Sequence, residues 1–173
     1  MSWIDQGRQE HGWFGHGRAP EYLRFAQAGR ADMASDVRGD GAVRSSSVGY
    51  VAADPRQWLG RDPIGTGECV DLVKAAANTP RTPFWRAGRL VQGDGSIRPG
   101  TIIATFDETG RYTGHAAIYM GQDQRGLTVI DQWNVRDRAG TVILQQQPAE
   151  RTLTFGNPRR AMINRGESYR VVE

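Results

Sequence analysis

The sequence predicts an α+β fold, with one helix packed on an antiparallel sheet. Three observations carry this. A glycine turn at Thr66-Gly67-Glu68 runs into a helical pattern that starts at Cys69. A series of short apolar runs follows, joined by connections containing Gly, Asp and Asn, as hairpin loops are. The chain has 173 residues, 38% of them hydrophobic, enough for one domain with its own core.

The helix is expected from Thr66, a candidate N-cap, with Val70, Val73, Lys74 and Ala77 at three- and four-residue steps. Asn78-Thr79-Pro80 should end it. Ahead of it, Val48-Gly49-Tyr50-Val51 is short and apolar, and Asp54–Leu59 reads as a turn or one helical turn. Phe84–Gly88 reads as a second short element. Strands are expected at 101–106, 115–120, 127–133 and 142–144, with 169–172 closing the sheet.

Residues 1–47 differ from the rest: rich in Gly and Arg, weakly periodic, and read as a poorly ordered leader before a domain at 48–173. A short helix at 20–28 fits Pro20 at its start and Gly29 at its stop. Met33 offers a second translation start, which would leave residues 1–32 untranslated.

Composition narrows the function classes. Mean hydropathy is −0.57, and no apolar run approaches the ~20 residues that span a bilayer. The first residues lack a basic segment followed by an apolar one, so synthesis in the cytoplasm without a signal peptide is expected. The net charge of +3 comes from arginine, Lys74 being the only lysine. No dense basic block occurs, so the arginines read as a solvated surface and nucleic acid is not an expected partner. Tryptophans 58, 85 and 133 read as core residues before they read as contacts of a glycan-binding module.

Cys69 is the only cysteine, so the fold does not depend on a disulfide. At a helix N-terminus its thiol meets unpaired N–H groups and the positive end of the dipole, which favour the thiolate. A thiol hydrolase also needs a base and a group that orients the base. His115, at the start of a strand, is the candidate base. His11 and His16 match neither a zinc-protease helix nor a zinc finger, so no metal is expected. The orienting residue is Asp131 or Gln132, depending on hairpin register. A loop at 121–125 puts His115 opposite Asp131; a loop at 122–125 puts it opposite Gln132. A carboxylate stabilises imidazolium better than an amide, which favours Asp131 and leaves Gln132 as the alternative.

The segment Gly67-Glu68-Cys69-Val70-Asp71-Leu72-Val73 resembles the nucleophile motif of the papain-like NlpC and CHAP superfamily of cysteine amidases. Blocks at 100–106, 114–119, 131–133 and 164–172 are similar to one small proteobacterial branch of peptidoglycan amidohydrolases. The resemblance covers roughly 48–173. It implies hydrolysis of an amide in peptidoglycan stem peptides, with no cofactor. Cys69 matches the nucleophile, His115 the base and Asp131 the orienting residue, and Tyr50 matches a tyrosine that supports the oxyanion site. Glu68 stands where the family usually has Gln; facing inward it would oppose the thiolate, so it is expected to face solvent. Some members are toxins delivered into rival bacteria by a type VI machine and countered by an immunity protein. A papain-like peptidase on a protein substrate, or a non-catalytic cell-wall-binding module, are the alternatives.

Overall fold

A computed structural model describes residues 49–173, so the readings for 1–47, including the helix at 20–28 and the start at Met33, lie outside the described residues. The helix forms as α1, Cys69–Ala77, and its buried stripe is Cys69, Leu72 and Val73. That stripe is rotated from the expected one: Val70 is half-buried and Lys74 points outward enough to stay hydrated. The N-cap is Glu68, not Thr66. Thr66 instead donates its N–H and hydroxyl to Asp71 Oδ2, at 2.9 and 2.6 Å. Asp71 thus ties the preceding loop to the first turn, where a carboxylate also complements the dipole. Asn78 ends α1 in the left-handed conformation, φ 50°, with its N–H on Lys74 O.

Eight strands follow: β1 Ala87–Leu90, β2 Ile102–Phe106, β3 Tyr112–Gln122, β4 Gly126–Asp131, β5 Asn134–Arg136, β6 Val142–Gln145, β7 Ala149–Thr154 and β8 Tyr169–Val172. Six form one sheet in the order β1-β8-β2-β3-β4-β7, with every pairing antiparallel. The expected strand at 142–144 is β6, which pairs with β5 outside the main sheet. Its place at the sheet edge is taken by β7, a polar segment without the apolar run that marks a central strand. The element expected at 84–88 is a 3-10 turn, Thr82–Phe84, followed by β1. The turn expected at 54–59 is the 3-10 turn Pro55–Trp58.

The sheet is buried on both faces. Alternation along β2, β3 and β4 sends Ile102, Ala104, Ala116, Ile118 and Ile130 toward α1, where Leu72, Val73 and Trp85 meet them. Ile103, Ala117, Tyr119, Leu127 and Val129 face the other way, onto Val91, Ile97, Leu153 and Tyr169. No helix covers that second face among the described residues; loops and the two 3-10 turns at 162–168 do.

Leu72 is fully buried between helix and sheet. Leu72→Ala should lower unfolding stability by about 2–5 kcal/mol, read as a shifted urea midpoint at unchanged slope.

Candidate active site

Three local structures bring the site together. The first is the loop before α1. Gly67 has φ 79°, and a Cβ there would lie 2.5 Å from Asn134 Oδ1 and 2.7 Å from Gln145 Nε2. Only glycine fits both the backbone and the space. The β5–β6 hairpin closes over this turn: Asn134 Nδ2 and Gln145 Nε2 both donate to Thr66 O. Asn134 and Arg136 also hold Glu68 Oε1. Glu68 is therefore paired with these two residues and partly exposed rather than freely solvated.

The second is a bulge in β3. Ala104 pairs with Ala116 and Phe106 with Tyr112, so Thr113, Gly114 and His115 together oppose Thr105. Gly114 has φ 85°, and a Cβ would meet Thr105 Oγ1 and Ile163 Cγ2 at 2.8 Å. The buried Thr105 hydroxyl replaces the lost ladder, accepting from His115 N at 3.0 Å and donating to Thr113 O. A bulge re-aims a side chain. Here it lets the buried His115 ring reach both Asp131 and the Cys69 thiol.

The third is the end of β4. The β3–β4 loop is 123–125, shorter than either expectation, with a further bulge near Gly121. Ile118 pairs with Ile130, and continuing that register sets Ala117, not His115, opposite Asp131. Both expected registers are therefore displaced. The displacement from the first is two residues, which preserves the face, so Asp131 remains a diagonal neighbour of His115. His115 Nε2 lies 2.7 Å from Asp131 Oδ2. Gln132, one residue on, points to the α1 side. It accepts from Ile64 N and donates to Ile64 O and Glu68 O, all at 2.9 Å. Asp131 thus contacts the imidazole, while Gln132 holds the loop that delivers the thiol.

Cys69 is the first residue of α1, so its N–H has no intrahelical acceptor. Burial pushes the thiol up, but the hydrogen bond to His115, the imidazolium charge, Tyr112 and the Ala116 N–H outweigh it, and the thiol lies below its ordinary 9.0. Burial opposes charge on His115 too. Asp131 and Cys69 more than offset it and raise the imidazole to about 9. With Nε2 engaged by the carboxylate, Nδ1 is the nitrogen left for the sulfur. The geometry favours a thiolate–imidazolium pair.

Two residues here, Tyr112 and Arg151, were not among the candidates read from the sequence. Tyr112 Oη is 3.5 Å from Cys69 Sγ, and burial and the adjacent sulfur charge hold its phenol far above the ordinary value, so it donates. Tyr50, expected beside the oxyanion, packs against the same core cluster as Cys69, and its carbonyl accepts from Ile102 N. Arg151 binds Asp131 through Nε, at 3.0 and 2.8 Å to the two oxygens, and through Nη2 at 2.7 Å. Its own position is fixed by Asn164 Oδ1 at 2.9 Å and by the Trp133 ring, 5.1 Å away. Alternation along β7 would have put Arg151 on the Asp131 face, had that strand been recognised. Among the described residues no cluster of His, Cys, Asp or Glu has the makings of a metal site.

A family model described as domesticated amidase effector 2 matches residues 42–172. The chain belongs to this family. A domesticated amidase effector 2 of Ixodes scapularis is 36% identical over 129 residues, covering 70% of this chain and 82% of that protein. A type VI secretion amidase effector 2 protein of Salmonella typhi is 36% identical over 90 residues, covering 49% of this chain and 67% of that protein. Among solved structures, a type 6 secretion amidase effector 2 (Tae2) matches with a TM-score of 0.61 and 30% identity, covering 72% of this chain and 94% of that one. The α+β layout with its mostly antiparallel sheet is thus shared with the amidase effectors.

The site predicts a pH signature. A thiol lowered in the folded state is deprotonated, and the native contacts that lower it are stabilising, above its unfolded value; that contribution fades as pH falls through the folded value. A raised imidazole acts oppositely, stabilising fully below ~6.5 and losing this as pH climbs through about 9. The alkylation rate of Cys69 by iodoacetamide should therefore rise with a midpoint below 9.0, and His115→Ala should move that midpoint upward. An unmoved midpoint would show that the imidazole does not activate the sulfur.

Proposed function

We propose that this chain is a papain-like cysteine amidase that hydrolyses an amide bond in peptidoglycan stem peptides and acts as an antibacterial effector. The observation that carries the chemistry is the buried row Cys69, His115, Asp131, with Nε2 and Oδ2 of the last two 2.7 Å apart. Membership of an amidase effector family supports the reaction class. The NlpC and CHAP likeness of the nucleophile segment supports the papain-like assignment.

The thiolate of Cys69 attacks the amide carbonyl. The oxyanion that forms is held by the Cys69 N–H at the start of α1 and a neighbouring donor. Protonated His115 gives its proton to the leaving amine. It then takes a proton from water, which attacks the thioester and frees the thiolate and the peptide acid. Asp131 keeps the ring oriented throughout, and Gln132 keeps the thiol loop in place. Tyr112 donates to the sulfur before attack. Tyr50 is assigned a supporting role near the oxyanion. No metal or organic cofactor enters this scheme.

The working place is the cell wall of a target cell, reached by a type VI-like route, and the producing cell would hold an immunity protein against it. The relatives named type VI secretion amidase effectors support this. No described helix is long and apolar enough to cross a membrane. The thiolate–imidazolium arrangement weighs against a non-catalytic wall-binding module.

Purified peptidoglycan digested with the chain and resolved by mass spectrometry should yield peptide products and identify the bond. Cys69→Ala and His115→Ala should abolish those products with the fold retained. Asp131→Asn should leave partial activity, because an amide still accepts from the ring but does not balance its charge. Products from the Cys69→Ala protein equal to those of the parent would remove the mechanism.

A further inference from the structure

We propose that the cleft beside Tyr112 binds a carboxylate of the peptide substrate through Arg86 and Arg111. This deepens the hydrolase reading and rests on it. The cleft has a volume of about 570 Å³, and Thr82, Trp85, Arg86, Thr109, Arg111 and Tyr112 are among its walls. One wall is the 3-10 turn Thr82–Phe84 and the residues after it; the other is the β2–β3 loop.

Tyr112 connects the cleft to the chemistry. It lines the cleft, and its hydroxyl reaches Cys69 Sγ at 3.5 Å. The buried Trp85 supports it edge-on, ring centres 5.0 Å apart. A group bound in the cleft would thus lie against a side chain that also touches the sulfur, as a neighbouring part of the peptide under attack would.

Of the cleft's lining residues, the charged ones are Arg86 and Arg111, both cationic. Among the described residues neither Arg86 nor Arg111 is ion-paired, although six other salt bridges occur. Two acids nearby are hydrogen-bonded or placed elsewhere, although the Arg111 charge does reach the Asp107 carboxyl. Asp107 Oδ1 accepts from Thr109 N, Thr109 Oγ1 and Arg111 N within its own loop. Glu173 pairs with the Arg86 backbone, but its carboxylate lies over Gly88. Arg86 Nη1 bonds the Pro83 and Trp85 carbonyls, which fixes the guanidinium and leaves its other N–H groups unassigned. A fixed guanidinium with spare donors is suited to a carboxylate. Stem peptides carry such groups on side chains and at chain ends.

The test uses the full chain carrying Cys69→Ala, so that no turnover occurs, and two probes: a stem tetrapeptide with free carboxylates, and the same peptide fully amidated. The free acid should bind more tightly, by roughly tenfold or more, as expected of a charge-assisted pair. Arg111→Gln, whose side chain makes no intramolecular hydrogen bond among the described residues, should erase most of that preference. Arg111→Lys should keep part of it. Arg86→Gln should act likewise, with its thermal unfolding midpoint measured alongside because its side chain also bonds backbone carbonyls. In the active chain Arg111→Gln should raise KM for the free acid while kcat stays close to the parent value.

Equal or undetectable binding of the two probes would overturn the proposal. So would a preference that survives the double Arg86→Gln, Arg111→Gln change, or an oligonucleotide that binds more tightly than either peptide. Peptidoglycan cleavage without a carboxylate preference sinks this inference alone. A carboxylate preference without any cleavage sinks the hydrolase reading alone.

Discussion

The site depends on one carboxylate. Asp131 is wholly buried, with the imidazole of His115 on one side and the guanidinium of Arg151 on the other. A buried charge is costly unless paired and hydrogen-bonded, and both oxygens here have charged partners. Breaking such a pair from one side costs about 3–5 kcal/mol, because the remaining charge is stranded. The arrangement is therefore stiff. The imidazole is held by a carboxylate that is itself held from behind, and Asn164 and Trp133 hold the arginine in turn.

Adjacent residues of one strand end share the labour. Asp131 turns to the face away from α1 and meets His115. Gln132 turns to the α1 face and fixes the loop that begins the helix. The alternation of a strand places the supports of the imidazole and of the thiol loop on opposite faces of a single peptide unit. The bulge at Thr113–His115 then brings the two faces' chemistry to the same point. Without its extra residues the His115 ring would stay with the Ala117 side, and the sulfur would lack its partner.

Helix α1, its glycine turn and the central strands were legible because apolar spacing and a lone cysteine mark them. The choice of Asp131 over Gln132 rested on alternation and on charge; in the structure it is Asp131 that lies against the imidazole, at a register neither expectation gave. The hairpin slipped by two residues, and even slips preserve faces. Thr66 looked like a cap because its residue type suits one; Asp71 took its hydroxyl instead. β7 was missed because Ala-Glu-Arg-Thr-Leu-Thr is an edge strand whose outward residues are polar, and Arg151 was lost with it. Tyr112 was hidden because its role depends on the bulge that begins at the next residue, which no local pattern announces. β6 was legible as a strand but not as part of a separate hairpin, since its exposed Val142, Ile143 and Leu144 read like core.

β8 lies between β1 and β2, although it follows every other strand in the chain. Its Val172 packs in the same cluster as Cys69, and its Tyr169 in the cluster behind. Ribosomes deliver residues in order, so this central slot is filled after both its neighbours have emerged. Without β8, β1 and β2 would both lose their shared partner, and the cluster that holds Cys69 would lose Val172. The sheet beside α1 is thus closed by a strand that both of its neighbours precede in the chain, which makes the pairing of β1 and β2 with β8 a late, long-range event in folding.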